Sequence, residues 1–431
     1  MHQYFRSAIL KNAIAFSSLS ILGLTAVHCE DSSNATQTNR RELVNQLAEK
    51  LQHRFVNKLQ DLETTNPNDT KFSPISWLRD NGTHGGGTRY QSSPNSSIFT
   101  QATVNVSSVH FQDLEKYPID SATALSVIVH PKNPKAPSMH FHISFMEPRQ
   151  GKPYWRMIAD LNPSIPNLKD EQLFSTAIEN VKHITPKLYI DSKIFGDKYF
   201  YIPSLGRHRG IYHFFIGKLE EDEVNFEDGC ELALELAETA IVTYTNILEN
   251  VLTSKSSSVA VAASSSSASS PFSSTLSTSS TSTTTSTSSI ISPSPPFNTI
   301  TADEQEQQLA YHTLYLYQVL TLDRGTTHGL MAHDQNDIGT LGSLPPAINC
   351  ELLRHWIQRT PSPQNQLLDT VLEIIPGNGV ITDETRGKLA KLVRKHYRSN
   401  KEARLQQADL DLKWWAEKSL LRVMSKSQIR R

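Results

Sequence analysis

The chain has 431 residues, 42 Lys+Arg against 43 Asp+Glu, and a formal net charge of -1. That length can bury a full core without staples, and the near-zero balance excludes a protein built as a whole to coat nucleic acid. Three scattered cysteines, Cys29, Cys230 and Cys350, exclude a disulfide framework and a cysteine zinc site.

Residues 1–30 read as an address segment. Arg6 and Lys11 precede an apolar, small-residue stretch from Ala13 to Val27, and the chain turns polar at Glu30. The pattern fits a secretory signal or a mitochondrial presequence, the alternative being a frayed apolar helix. No later apolar run reaches the ~20 residues of a spanning helix. Leu43, Leu47, Leu51, Phe55 and Leu59 recur at helical spacing, predicting an amphipathic helix over Arg41 to Leu62. Gly85-Gly86-Gly87 ahead of Thr88-Arg89 permits close backbone approach, as at an anion loop, or a simple hinge.

Leu125 to Val129 is a short apolar run closed by His130-Pro131. Met139 to Met146 alternates: Met139, Phe141, Ile143 and Phe145 face one way, and His140, His142 and Ser144 the other. The apolar face must pack on a helix layer. Side chains two apart lie ~6–7 Å from each other, so His140 and His142 reach one ligand if their face lines a cavity. The plainer reading is a solvated strand face. Asp160, after an apolar stretch holding Trp155 and Met157, reads as a general acid or base, or as a turn cap before Pro163.

Asp170 to Ile184 and Glu231 to Leu252 carry helical stripes, with Asp228-Gly229 ahead of the second. Tyr199 to Ile202, Ile211 to Leu219 and Tyr311 to Leu322 read as strands. Asp323-Arg324-Gly325-Thr326 then reads as a tight turn closing the last strand, or as an arginine aimed at a substrate carboxylate. Ser254 to Pro296 is almost all Ser, Thr, Ala and Pro and reads as a disordered insertion. Residues 383–431 hold 14 Lys+Arg and 6 Asp+Glu, a basic extension in which Leu410, Trp414 and Leu421 share a helical face. A solvated helix, or a weak membrane-surface contact through this tail, follows. Strands that follow one another without helices imply antiparallel pairing. The fold class is α+β: one large antiparallel sheet flanked by helices on both faces, spanning 38–382 around the 254–296 insertion.

Taken in order, these segments resemble the oxygen-dependent coproporphyrinogen III oxidase family from about Trp77 to Pro346, and weakly to Pro376. The matching blocks include Gly85 to Arg89, Val104 to His110, Ser126 to Pro134, Pro137 to His140, Asp160 to Pro163, Tyr199 to Tyr201, Arg209 to Ile211, Asp323 to Thr326 and Ser343 to Pro346. The resemblance implies oxidative decarboxylation of two propionates of coproporphyrinogen III to vinyls, giving protoporphyrinogen IX. It implies molecular oxygen as oxidant, no organic cofactor, a divalent metal in some members, a flat sheet between helix layers, and a homodimer. It implies His140 as proton donor, Asp160 as holder of the pyrrole N–H groups, and His130 and His140 as metal ligands. Ser126, Arg209 and Arg324 become substrate-contacting residues, with His142 and Ser144 at substrate-facing positions.

The chain also departs from the family pattern. His142 and Ser144 stand where an Asn and an Arg are usual. Arg156-Met157-Ile158 replaces a glycine triplet, Tyr212-His213 replaces paired glycines, and His333 to Asn336 replaces a Gly-Gly-Arg loop. A charge-assisted bond to a carboxylate contributes roughly 1.5–3 kcal/mol, so the lost arginines bear on substrate affinity. His142, Arg156 and His333 are candidate replacements. The expected function is coproporphyrinogen oxidation. The alternative is a catalytically impaired paralogue that binds a tetrapyrrole or serves as a non-enzymatic interaction protein. The expected location is the mitochondrial intermembrane space in a eukaryote, or exported, periplasmic or cytoplasmic in a bacterium.

Overall fold

A computed structural model describes residues 37–63, 71–111, 113–114, 118–264, 300–400, 402, 403, 405 and 407. The sheet, the candidate site and every helix except the first seven residues of the N-terminal one belong to the unit that starts at Val44. The address segment, residues 265–296 of the insertion, and Leu410, Trp414 and Leu421 lie outside the described residues.

Helix α1 (Gln37–Gln60) precedes strands β1 (Ser73–Leu78), β2 (Gly85–Gln91), β3 (Phe99–His110), β4 (Ile119–Pro131), β5 (Ser138–Pro148) and β6 (Tyr154–Asn162). After α2 (Leu168–Glu179) and α3 (Pro186–Phe200) comes a two-stranded ribbon, β7 (Tyr201–Ile202) and β8 (Arg207–His208). Then follow β9 (Tyr212–Glu220) and α4 (Phe226–Ser264). The rest is helical: α5 (Ala302–Thr321), α6 (Arg324–Ala332), the single turn α7 (Asp337–Thr340), α8 (Cys350–Ile357), α9 (Gln364–Ile374) and α10 (Asp383–Ser399). One antiparallel sheet of seven strands runs β1-β2-β3-β4-β5-β6-β9, so the α+β class holds.

Alternation in β5 sorts the two faces as its sequence requires. Met139, Phe141, Ile143 and Phe145 are buried; Phe55 of α1 meets Phe141 at 5.1 Å, and Phe226 at the start of α4 meets Phe145 at 5.5 Å. From α4, the Tyr244 hydroxyl donates to the Pro137 carbonyl at 2.9 Å. The opposite face is polar. Register carries it across the sheet in rows: Arg89, Asn105, Ser126, His142, Ile158 and Phe215 in one, Ile128, His140, Asp160 and His213 in the next. Helices α3 and α5 roof the second row. Beyond it, Asn105, Ser126, His142 and Arg156 are half-buried along the same face.

Several expectations need correction. Tyr311 to Leu322 is not a strand but most of α5. Its Tyr, Leu, Val and Thr residues are good strand formers, and every residue from Tyr311 to Thr321 is buried, so no polar stripe reveals the helical period. Its start is marked instead by a capping box, with Thr301 accepting from the Glu304 N–H and Glu304 from the Thr301 N–H. Asp323 consequently caps a helix instead of closing a hairpin: its carboxylate accepts the Thr326 N–H at 2.7 Å. Tyr199 and Phe200 end α3, leaving only Tyr201–Ile202 extended. Helix α4 starts ahead of Asp228-Gly229 and continues to Ser264, into the stretch read as disordered. Among the described residues no helix is long and apolar enough to cross a membrane.

Candidate active site

Antiparallel register puts His140 of β5 directly opposite Asp160 of β6. His140 Nδ1 lies 3.0 Å from Asp160 Oδ2, and the same oxygen accepts Arg209 Nη2 at 2.6 Å. Arg209 enters from the segment between β8 and β9. Its Nη1 donates to Gln318 Oε1 at 2.9 Å and its Nε to Asn162 Oδ1 at 3.4 Å. The guanidinium lies over the Phe200 ring at 4.2 Å and near that of Tyr315 at 5.4 Å. Asp160 and Arg209 are 0% and 4% exposed, so this is a buried ion pair fixed on several sides.

The electrostatics follow from that burial. Loss of water raises the Asp160 carboxyl to about 6, with Arg209 holding it down against a larger rise. Burial, then the Arg209 charge, pushes His140 well below its ordinary value, so the imidazole is neutral near pH 7. Arg209 Nη2 also lies 3.1 Å from His140 Nδ1, so that nitrogen sits between a carboxylate that accepts and a guanidinium that donates. Among the described residues, three buried polar atoms around Arg209 have no hydrogen-bond partner: Asp160 Oδ1, Asn162 Nδ2 and Gln318 Nε2. Leaving such atoms unpaired costs about 1–3 kcal/mol each, so their grouping calls for a partner, an ordered water or a ligand.

Next to this centre, Ser126 Oγ lies 2.7 Å from His142 Nδ1, and His142 Nε2 lies 3.0 Å from Ser144 Oγ. Burial first, then repulsion from any proton on His140 and from the Arg156 charge, holds His142 below its ordinary value, so it too is neutral near pH 7. The sheet thus brings His140, Asp160, Ser126, His142 and Ser144 together as the strand pattern requires. Arg209 joins them as the ion-pair partner of Asp160, with its donors turned inward. Arg324 opens α6, its backbone N–H donating to Gln407 Oε1 at 3.3 Å. His333 stacks on Trp77 of β1 at 5.2 Å, at the opposite edge of the sheet from Asp160.

The divalent metal does not fit His130 and His140 as arranged. His130 is fully buried, with Nδ1 3.1 Å from the Ser138 hydroxyl and Nε2 3.0 Å from the Ser343 carbonyl. A proton on Nε2 serves that carbonyl, and the Nδ1 lone pair takes the Ser138 hydroxyl, leaving none for a metal. Burial holds this histidine at about 3. Among the described residues, a histidine and two carboxylates come within 4.8 Å of one another at His183, Asp228 and Glu231 instead. Those side chains belong to the first turns of α4 and the segment after α2.

Asn162, Phe200, Tyr315 and Gln318 were not singled out by sequence pattern as site residues. Asn162 stands in the matched Asp160-Leu161-Asn162-Pro163 block. Tyr311, Tyr315 and Gln318 share a face only when their segment is read at helical period, which the strand assignment concealed.

A family profile described as coproporphyrinogen III oxidase matches residues 43–260, half of the chain. An oxygen-dependent coproporphyrinogen-III oxidase of Prochlorococcus marinus (strain MIT 9515) is 32% identical over 192 residues, 42% of this chain and 53% of that protein. The aligned part thus spans about half of that relative's length. The enzyme of the same name from Prochlorococcus marinus (strain MIT 9312) is 28% identical over 330 residues, covering 73% of this chain and 86% of the relative. That of Rickettsia rickettsii (strain Sheila Smith) is 25% identical over 322 residues, covering 72% and 94%. With the sheet, the His140–Asp160 pair and the ordered sequence blocks all agreeing, this chain belongs to the coproporphyrinogen III oxidase family.

Proposed function

We propose that this chain is an oxygen-dependent coproporphyrinogen III oxidase, converting two propionates to vinyls with molecular oxygen as the electron acceptor. The observation that carries the reading is the unpaired Asp160 Oδ1 beside an ionised, Arg209-held carboxylate. A reduced tetrapyrrole presents N–H donors at its centre, which is the group such an acceptor lacks. Asn162 Nδ2 and Gln318 Nε2 are matching donors for substrate oxygens. His140, neutral near pH 7, removes or returns a proton at the substrate edge, a task suited to an imidazole. Ser126, His142 and Ser144 present a neutral polar floor to the ring's side arms. Arg324, at the start of α6, is the second arginine of the proposed pocket. A homodimer and a location in the mitochondrial intermembrane space, or an exported or cytoplasmic bacterial one, belong to the same proposal. The basic face of α10, with Lys391, Lys395 and Arg398, fits a weak contact with an anionic membrane surface.

A second reading, a tetrapyrrole binder without turnover, is favoured by one observation: Arg209 turns its donors toward Asp160, His140, Gln318 and Asn162. One assay separates the two. Purified protein is given coproporphyrinogen III with and without oxygen, and protoporphyrin is read by fluorescence after oxidation. Oxygen-dependent product supports the oxidase; its absence from folded protein that still binds the porphyrin supports the binder.

A further inference from the structure

The buried ion pair depends on where Arg209 sits, and the backbone around Arg209 is anchored at three successive residues. Its own N–H donates to the Phe200 carbonyl at 3.2 Å, and that of Ile211 to the Leu161 carbonyl at 3.2 Å. Between them, the Gly210 N–H donates to His213 Nε2 at 3.2 Å. Two of these acceptors are main-chain oxygens that any sequence supplies. The third is a side chain on β9, directly opposite Asp160 in register. His213 is one of the two residues that stand in place of paired glycines, so this acceptor is a feature of this chain.

A backbone N–H can only donate, so Nε2 carries the lone pair of this imidazole and the proton sits on Nδ1. Nδ1 donates it to Asp197 Oδ1 of α3 at 3.1 Å, and Lys193, one turn earlier, lies 3.6 Å from the same oxygen. The ring is 1% exposed, and burial lowers its pKa, which suits the neutral form that both bonds require. Phe200 stacks against it at 5.2 Å and His208 of β8 at 5.5 Å. Phe200 in turn lies under the Arg209 guanidinium at 4.2 Å and meets the His140 ring edge-to-face at 6.2 Å. His213 therefore reaches Arg209 by two routes, through the Gly210 N–H and through Phe200. Arg209 Nη2 ends 2.6 Å from Asp160 Oδ2 and 3.1 Å from His140 Nδ1, so a shift of the arginine disturbs both.

We propose that His213, oriented by Asp197, is a positioning residue that fixes Arg209 against Asp160 and His140. Its kinetic consequence rests on the oxidase reading above; its mechanical consequence does not. The full chain is compared with His213→Phe, which keeps a ring against Phe200 and loses the acceptor, and with His213→Gln, whose amide oxygen can take the Gly210 N–H. Asp197→Ala, at a half-buried position, is the milder variant and replaces H213F should that protein not fold. With coproporphyrinogen III, kcat is expected to fall about tenfold in H213F and about threefold in D197A, KM to change less than about threefold, and H213Q to regain most of kcat. In urea unfolding, H213F lowers the midpoint; in an R209Q background, where the arginine is already gone, it lowers it less than about half as much. H213Q as impaired as H213F, equal midpoint losses in the two backgrounds, or D197A with wild-type kcat and midpoint overturns the assignment. The two proposals fail separately. No product from wild type, with unequal midpoint losses, loses the oxidase reading and keeps the positioning role. Equal turnover by wild type and H213F keeps the oxidase and loses the role.

Discussion

Replacing Arg209 by Gln isolates the energetics of the buried centre. The variant removes the 2.6 Å bond to Asp160 while both positions lie below 5% exposure. Removing one partner of a buried pair costs about 3–5 kcal/mol, a large share of a typical 5–15 kcal/mol stability. Protonation of Asp160 is the relief. In wild type this carboxyl is already raised to about 6, above its unfolded value near 4, chiefly by burial. The folded state therefore holds the proton more tightly than the unfolded chain, and stability falls as pH rises between those values. Above about pH 6 the wild-type contribution is flat. In R209Q the folded value climbs further, so the loss keeps growing at ~1.4 kcal/mol per pH unit beyond 6, up to the new value. Broken bonds to Gln318 and Asn162 add a part that does not depend on pH.

Urea unfolding of wild type and R209Q between pH 5.5 and 8 measures this. The expected loss is about 1–2 kcal/mol at the acid end and about 3–5 kcal/mol at pH 8. Adding Asp160→Asn should remove the pH-dependent part, giving a coupling well above the scatter of independent sites. A loss that is the same at pH 6 and pH 8, or one that D160N leaves in place, refutes an arginine-stabilised buried carboxylate.

Three other outcomes follow from the same geometry. Since Asp160 accepts as the carboxylate, kcat/KM should fall as pH drops through about 6; a limb set near 6.5 by His140 or His142 contradicts their burial, and a pH series from 5 to 8 decides. A Cβ on Gly210 would sit 2.2 Å from Asn162 Oδ1 and 2.7 Å from the Leu161 carbonyl, so Gly210→Ala should displace Asn162, destabilise by about 1–3 kcal/mol and reduce turnover; wild-type melting and rate together would deny that close approach. Thr301→Ala removes the capping-box acceptor of α5 and should cost about 1 kcal/mol in urea unfolding, whereas no change contradicts helical structure there.

The sheet half of the protein was legible because its central strands carry polar side chains on one side and apolar ones on the other. In β5, polar and apolar residues alternate, which placed His140, His142 and Ser144 on one face and the core on the other before any coordinates. The roof was not legible in the same way. From Tyr311 to Thr321 helix α5 is buried all round, so that stretch carries no polar stripe, and its β-formers read as a strand. The site residues it supplies, Tyr315 and Gln318, were lost with it. Arg209 was found by its sequence block, but its role depends on which acceptors surround it, and these come from β6 and α5. His130 was found too, yet its ligand role needs a free ring nitrogen, and one is turned to the Ser138 hydroxyl and the other to the Ser343 carbonyl.

The most direct test of the account is product formation from coproporphyrinogen III by wild type and D160N, with and without oxygen. The account predicts protoporphyrin from wild type only when oxygen is present, and a loss of at least about a hundredfold in D160N whose circular dichroism is unchanged. No oxygen-dependent product from folded wild type, or equal product from D160N, contradicts it.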